Sequence, residues 1–423
     1  MSQTRATEDD DVDLHPVCSW LLKIGFDLAI RAIYRREFVF PVNFRVFPGT
    51  MIACNHQRDS DGPMLGMALV HRRGLRFHGS VPFFATREDL FRPGILARLT
   101  VHWPRPLSVL LRYVSLAWFF PLGRTEPIRR AREFTLGDAL RALAKAGLGD
   151  ADAGSLLNAR GRRETAVEPR QLSVDALLKR SDDALEARWG LRRLGRKARA
   201  AIAPDFRATV ERQLAHFARR LDHGCSIFFA PEGTISRNGH FGRVRAGFYR
   251  VASMAKSPPW IQPIALAYDR LAPGRSRVVI RVGEAFHADT GASRRTFNVN
   301  LRQTVLSLAT VTPSHLLAHF LLHGPSTFMA DDLARWLDGA RAALVRNGAP
   351  LDPLFERVAA DRLATRRLRW LRHKRLLARE GRAFRNTCPS DAPPGWRHPA
   401  NVVRYLDNAL NDSVPDIERL APC

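Results

Sequence analysis

A histidine and an aspartate with four residues between them, His56 and Asp61, lie in the segment CNHQRDSDGP, directly after an apolar run. The apolar run predicts that His56 projects from the end of a strand, where α/β folds usually place reacting groups. A turn between that strand and a following helix can bring Asp61 against one imidazole nitrogen. This contact fixes the tautomer and leaves the other nitrogen free as a base. Because no serine or cysteine in a nucleophile-elbow pattern accompanies the pair, we expect the base to act on a substrate hydroxyl.

The same segment also has simpler explanations. Asp59 is a competing partner for His56, and Asp61 or Ser60 is well placed to cap a helix that begins at the following Gly-Pro pair. A histidine near an aspartate, taken alone, is more often structural or solvated than catalytic. A second group of residues is needed to favour chemistry here.

That second group follows another buried, strand-like run, in the loop FFAPEGTISRNG. The loop contains Glu232, Gly233, Thr234, Ser236 and Arg237. Backbone amides, a hydroxyl and a guanidinium in a tight glycine-containing loop form a suitable phosphate cradle. A carboxylate is a poor phosphate ligand, so we expect the Glu232 side chain to orient an arginine or to bond to loop amides.

A third element, FFPLGRTE, places Arg124 after an apolar run. Two arginines from separate strand ends can hold one phosphate bidentately, and Arg124 and Arg237 are the candidates. In a chain with so many arginines, the alternative for each of them is an ordinary surface side chain.

Strand-like and helical segments alternate along the chain, so we predict an α/β fold with a mixed central sheet flanked by helices. A helix over VERQLAHFARRLDHG leads into the strand CSIFFA, and WIQPIALAYD and RVVIRVGEAF are typical of further strands. Four segments are predicted: a disordered tail (1–14), an amphipathic interfacial helix (15–40), a catalytic domain (41–295) with a helical insertion near 129–207, and a mainly helical, basic C-terminal extension (296–423).

The composition is that of a globular protein, with 45% hydrophobic and 25% charged residues. The five cysteines are scattered without a CxxC pair, which favours neither a disulfide framework nor a zinc site and indicates a reducing, cytosol-facing protein. The net charge of +25 suits an anionic membrane or a nucleic acid. Arginine-rich codon usage explains the charge equally well.

No segment of the sequence is apolar enough to predict a spanning helix. In VCSWLLKIGFDLAIRAIY the strongly polar residues recur every four positions, which leaves a wide apolar face on a helix. Such a helix either lies in a membrane interface or packs against a core.

Taken in their order, these elements resemble the motif blocks of the glycerolipid acyltransferase superfamily, which includes the lysophosphatidate and glycerol-3-phosphate acyltransferases. Asn55, His56 and Asp61 match the Asn-His-x4-Asp block, and FFPLGR, ending at Arg124, matches the second block. The third block is matched by Pro231, Glu232, Gly233 and Thr234, with Ser236 and Arg237 in register. Pro263 matches the proline-centred fourth block. Two features depart from the pattern. Ile235 stands where an arginine is usual, and the gap between the second and third blocks is unusually long.

The resemblance implies acyl transfer from a thioester, either acyl-CoA or acyl carrier protein, to the hydroxyl of a glycerophosphate-type acceptor. The most direct acceptor is 1-acyl-glycerol-3-phosphate, giving phosphatidate in phospholipid biosynthesis, and glycerol 3-phosphate or another lysolipid is the alternative. In this scheme His56 is the base and Asp61 orients it. The acceptor phosphate would be held by Arg124, Glu232, Gly233, Thr234 and Arg237. The resemblance implies no metal and no cofactor beyond the donor, and a peripheral enzyme on the cytoplasmic face of an anionic membrane.

Two non-catalytic alternatives remain. A nucleic-acid-binding protein would explain the charge, but the basic segment from Arg357 to Arg385 contains no recognisable reading module, so we expect no nucleic-acid partner. A lipid-binding protein that keeps the fold without the chemistry would be expected to have lost His56 or Asp61.

Overall fold

The computed structural model describes residues 16–42, 44–58, 60–62, 64–65, 83–87, 124–128, 135–165, 172–179, 185, 190–389, 391–395 and 398–420. Helices and strands both contribute, and the sheet is mixed, so the chain has the mixed α/β architecture that the sequence predicts. The chain divides into two compact units. Unit 1 includes Phe83–Phe217, and unit 2 consists of His15–Pro82 and Ala218–Cys423.

The strands are β1 (Tyr34–Val39), β2 (Thr50–Cys54), β3 (Phe83–Arg87), β4 (Thr125–Ile128), β5 (Ile227–Phe229), β6 (Trp260–Asp269), β7 (Ser276–Val282), β8 (Phe286–His287), β9 (Thr327–Phe328), β10 (Leu377–Glu380) and β11 (Ala383–Asn386). The helices are α1 (Pro16–Ile33), α2 (Leu136–Leu143), α3 (Ala153–Leu156), α4 (Ala159–Thr165), α5 (Val174–Lys179), α6 (Arg196–Asp222), α7 (Ala246–Met254), α8 (Arg294–Ser307), α9 (Pro313–His323), α10 (Ala330–Arg346), α11 (Leu354–Arg357), α12 (Ala360–His373), α13 (Pro399–Ser413) and α14 (Ile417–Leu420). A π-helical turn at Ala144–Leu148 and a 3-10 turn at Leu191–Arg193 complete them.

The main sheet of unit 2 has the order β1-β7-β6-β2-β5, with β8 paired to the start of β6. Strand β2 is parallel to both of its neighbours, β5 and β6, whereas β6 and β7 are antiparallel. All five residues of β2 and nine of the ten of β6 are buried. Such continuous apolar runs are typical of strands covered on both faces, which is why the sequence predicts these strands without any alternation.

The C-terminal part of unit 2 is mainly helical, and a three-stranded antiparallel sheet, β10-β11-β9, accompanies the helices. Its helices share one large apolar cluster that includes Leu316, Leu337 and Leu371. A buried ion pair joins this cluster to the main sheet, because Arg367 of α12 contacts Asp269 at the end of β6 at 2.6 Å. The pair fixes the end of the strand that carries part of the site.

Unit 1 contains the parallel pair β3 and β4, helices α2 to α5 and most of α6. Its helices bury a separate apolar cluster around Leu140, Leu143 and Leu194. The predicted insertion near 129–207 lies in this unit, and its described residues are mostly helical with a core of their own.

The N-terminal segment differs from the single helix predicted over 15–40. Helix α1 ends at Ile33, and the chain continues directly into β1, which pairs in parallel with β7. The strand conformation is favoured because β1 forms backbone hydrogen bonds with β7 at the edge of the sheet. An ion pair between Glu37 and Arg277 of β7 adds to this pairing. The tail 1–14, most of the helix predicted after Pro63 and the apolar run of the second block lie outside the described residues. Within the described residues, no helix has the length and apolarity needed to cross a bilayer.

Candidate active site

The site begins with the contact between His56 and Asp61 at the carboxyl end of β2. The Nδ1 atom of His56 lies 3.0 Å from Oδ2 of Asp61, so the predicted pair is present, and the competing partner Asp59 lies outside the described residues. Asp61 is fully buried, whereas 19% of the His56 side chain is exposed. An ionised carboxylate only accepts hydrogen bonds, so it favours the tautomer with the proton on Nδ1 and leaves the lone pair of Nε2 available. Among the described residues, Nε2 of His56 has no hydrogen-bond partner.

Asp61 is held by three further donors. Its Oδ2 accepts the backbone N–H groups of Gln57 at 2.6 Å and Arg58 at 2.7 Å, and its Oδ1 accepts the hydroxyl of Tyr268. The two amides come from the turn that follows β2, so this turn wraps around the carboxylate. The aspartate is therefore fixed in position by its own loop and by one side chain from β6.

The third-block loop holds the backbone of His56 from both sides. The Oε1 atom of Glu232 accepts the N–H of His56 at 3.0 Å, and the N–H of Ser236 donates to the carbonyl of His56 at 2.8 Å. The Oε2 atom of Glu232 accepts the N–H of Gly242 at 2.6 Å. The Glu232 side chain thus bonds to amides, one of the two roles expected from the sequence, while its predicted contact with an acceptor phosphate stays a prediction.

These contacts form because β5, β2 and β6 are neighbouring parallel strands whose carboxyl ends meet at one edge of the sheet. Asn55 anchors this edge by pairing with the backbone of Leu266 in β6. Its Nδ2 donates to the Leu266 carbonyl at 2.9 Å, and its Oδ1 accepts the Leu266 N–H at 2.7 Å. Gln57 donates to the same carbonyl at 3.1 Å. Pro263 of the fourth block lies in β6 opposite Ala53 of β2.

Burial governs the electrostatics of the site. Burial raises the pKa of Glu232 from 4.5 to about 7, and the hydrogen bonds from the amides of His56 and Gly242 offset only part of this effect. Burial, together with the charge of Asp61, also raises the pKa of Tyr268, which keeps its hydroxyl protonated as a donor. The guanidinium carbons of Arg58 and Arg270 lie 4.9 and 5.2 Å from the Tyr268 ring centroid. Two guanidinium groups therefore lie over the ring whose hydroxyl holds Asp61.

The predicted phosphate-binding residues fall into two groups, those of the third-block loop in unit 2 and Arg124 in unit 1. Thr234 and Arg237 are exposed in the third-block loop, and neither side chain has a hydrogen bond or ion pair among the described residues. Gly233 has a φ of +66°, and its N–H closes a turn with the carbonyl of Ala230, so a glycine suits the conformation. The loop thus leaves its hydroxyl and guanidinium available to a ligand.

Arg124 belongs to unit 1, where it immediately precedes β4, and the apolar run before it lies outside the described residues. Its φ of +51° is in the left-handed region that non-glycine residues rarely adopt. Its carbonyl accepts the N–H of Phe84, and its guanidinium lies over the ring of Phe83 at 5.2 Å from the centroid. That Arg124 and Arg237 hold one phosphate together stays a prediction from the sequence.

Around His56, the side chains that the structure describes include no cluster of three converging metal-ligating atoms. The arrangement is suited to proton transfer, since it contains a base with a free nitrogen, a buried orienting carboxylate and a rigid backbone. Tyr268 is the residue that the sequence did not reveal, although the tyrosine lies in a segment predicted as a strand. No protein-family model matches the chain, and no curated protein matches its sequence at a significant level.

Proposed function

We propose that the chain is an acyltransferase that moves an acyl group from a thioester to the hydroxyl of a glycerophosphate-type acceptor. The observation that carries the proposal is the contact between His56 and the buried Asp61, with Nε2 of His56 open to a substrate. The ordered resemblance of four sequence blocks to the glycerolipid acyltransferases supplies the reaction class. The geometry supports base catalysis, and the resemblance names the substrates.

In the proposed reaction, Nε2 of His56 accepts the proton of the acceptor hydroxyl as its oxygen attacks the thioester carbonyl. Asp61 stabilises the imidazolium that forms. The tetrahedral intermediate then collapses, the C–S bond breaks, and the proton passes from His56 to the departing thiolate. The products are an ester and a free thiol, so protons and electrons balance without a metal or a redox group. Base catalysis of this kind contributes about 10² to 10⁴-fold to the rate.

The acceptor phosphate is assigned to the third-block loop, where Thr234 and Arg237 are exposed, with Gly233 and Glu232 shaping the turn. Arg124 is proposed as a phosphate-binding cation from the sequence resemblance, and its unusual backbone conformation is consistent with a functional position. The acceptor that we favour is 1-acyl-glycerol-3-phosphate, as in phospholipid synthesis. Glycerol 3-phosphate or another lysolipid is the alternative acceptor.

We further propose peripheral attachment to the cytoplasmic face of an anionic membrane, where both lipid substrates partition. In α1, Asp27 is buried and paired with Arg36 at 2.5 Å, whereas Leu28 and Ile33 are 62% and 57% exposed. The helix therefore turns its acidic residue inward and presents apolar side chains. Each basic residue near an anionic membrane surface adds about 1 kcal/mol to the binding free energy. The net charge of +25 therefore favours membrane attachment.

The test is thiol release from palmitoyl-CoA by the purified full chain, with lysophosphatidate, glycerol 3-phosphate, a neutral lysolipid or no acceptor. We expect release with one phosphate-bearing acceptor and its near-complete loss in His56→Ala. The matched control is His216→Ala, because His216 also contacts a carboxylate, Glu126, at 3.0 Å but belongs to unit 1. Unchanged release in His56→Ala would refute the mechanism. Lipid binding without thiol release from palmitoyl-CoA or from a palmitoyl thioester of acyl carrier protein would favour the non-catalytic alternative.

A further inference from the structure

A second cluster of titratable side chains lies in the C-terminal helices of unit 2. It consists of His319 and His323 of α9 and Asp407 of α13. The Nδ1 atom of His319 lies 2.9 Å from Oδ1 of Asp407, and Nε2 of His323 lies 3.2 Å from Oδ2. We propose that these three residues bind a divalent transition-metal ion of the zinc type.

Helix geometry brings the two imidazoles together. His319 and His323 are four positions apart, so they lie on the same face of α9, one turn from each other. Their ring centroids are 4.5 Å apart with an interplanar angle of 33°. The two rings are tilted toward each other, and each aims one nitrogen at a different oxygen of the Asp407 carboxylate, so ligand atoms converge from two packed helices.

The spacing suits zinc. Ligand atoms at about 2.1 Å from a tetrahedral Zn²⁺ stand about 3.4 Å apart. With one ligand atom from each residue, the three atoms of the cluster lie within 4.8 Å of one another, so small side-chain movements bring them to this spacing. Imidazole and carboxylate are ligands that zinc accepts, and a fourth position would be taken by water. In the ion-free chain the same groups are joined by hydrogen bonds, which would keep the ligands in place before the ion arrives.

Burial supplies both a protected site and an entry path. The side chains of His319 and Asp407 are 1% and 2% exposed, whereas that of His323 is 32% exposed. Outer partners are also present, as Asn411 donates to Oδ2 of Asp407 at 3.4 Å and Glu418 lies 3.9 Å from Nδ1 of His323. A carboxylate beside the second nitrogen of a ligating histidine is a common way to orient the ring.

Metal binding here would stabilise the loop that holds His56, because side chains of α13 bond to the backbone near the end of that loop. Asp412 accepts the N–H of Phe241 at 2.6 Å, and Asn408 donates to the carbonyl of Asn238 at 2.8 Å. The ion would fix α13 against α9 and so fix these contacts. The role assigned to it is structural and does not depend on the proposed acyl transfer.

The test uses the full chain after chelator treatment. Titration with Zn²⁺ by calorimetry is expected to show one ion per chain, and Co²⁺ is expected to give the visible absorption of a tetrahedral centre. Asp407→Asn and His323→Gln should each weaken Zn²⁺ binding by at least about tenfold. His373→Gln, which removes an exposed histidine from the end of α12, should bind as the wild type does.

Folding of each variant is checked by circular dichroism, and the thermal midpoint is measured with and without Zn²⁺. A rise in midpoint that is present in the wild type and in His373→Gln, and lost in His323→Gln, supports the site. Absence of saturable binding to the wild type would overturn the proposal. Binding of equal strength in the wild type, Asp407→Asn and His323→Gln would overturn it as well, because the ion would then lie elsewhere.

Discussion

Replacement of Tyr268 by phenylalanine tests whether the buried carboxylate of Asp61 must be held from β6. The change removes only the hydroxyl that donates to Oδ1 of Asp61 and keeps the ring beside Arg58 and Arg270. A hydrogen bond to a charged group is worth about 1.5–3 kcal/mol, which corresponds to about 10 to 150-fold in rate if all of it is expressed in the transition state. Asp61 keeps its other three donors, so we expect the lower end, a fall in kcat of about tenfold with KM unchanged.

The control is Tyr34→Phe. The Tyr34 ring meets the Tyr268 ring edge-on with centroids 5.8 Å apart, and its hydroxyl accepts from Arg58 at 2.8 Å and from Ser60 at 3.2 Å. This variant removes the same atom from the same aromatic cluster but leaves every donor to Asp61, so kcat should stay close to that of the wild type. Thiol release from palmitoyl-CoA measures both variants. A wild-type kcat in Tyr268→Phe, or an equal loss in the two variants, would refute the role assigned to the hydroxyl.

Three further variants test other parts of the site. Arg237→Ala should raise KM for the acceptor about tenfold with kcat unchanged, the loss expected for one exposed charged contact, and steady-state kinetics in which only kcat falls would contradict a phosphate role. Because the pKa of Glu232 is raised from 4.5 to about 7 on folding, the folded chain binds this proton more tightly than the unfolded chain does. The resulting contribution to the free energy of unfolding is roughly 3 kcal/mol, is fully present below about pH 4.5, and is lost as pH rises through about 7. The thermal midpoint of the wild type should therefore fall relative to that of Glu232→Gln between these pH values, and parallel profiles would count against it. Gly239→Ala should lower the midpoint far more than Gly274→Ala. Both glycines have positive φ, but only at Gly239 would an added Cβ collide with the backbone carbonyl of Tyr405, and equal shifts in the two variants would remove this explanation.

The sequence predicts the strands that carry the site better than it predicts the side chains between them. The apolar runs at β2, β5 and β6 indicate buried strands, and the structure confirms all three. The partnership of His56 with Asp61 is also predictable, because a single turn joins them. In contrast, Tyr268 donates to Asp61 across 207 positions of the chain, and no local pattern reports such a contact.

The C-terminal histidine cluster could not be predicted from the sequence for a similar reason. We expected no metal because zinc sites are most easily recognised from paired cysteines, and the five cysteines here are scattered. The pair His319 and His323 has ordinary helical spacing, which many non-binding histidines share. Only the packing of α13 against α9 brings Asp407, more than 80 residues further along the chain, to both rings.

The contacts of the third-block loop explain why the first and third sequence blocks occur together. A base acts efficiently only when its nitrogen is held within about 0.5 Å of its productive position. The backbone of His56 is held at its N–H by Glu232 and at its carbonyl by Ser236, both from a loop 176 or more residues away. The loop therefore positions the base as well as offering Arg237 to a phosphate. Changes in Glu232 should consequently lower kcat, whereas changes in Arg237 should act on KM, although the two residues belong to the same short loop.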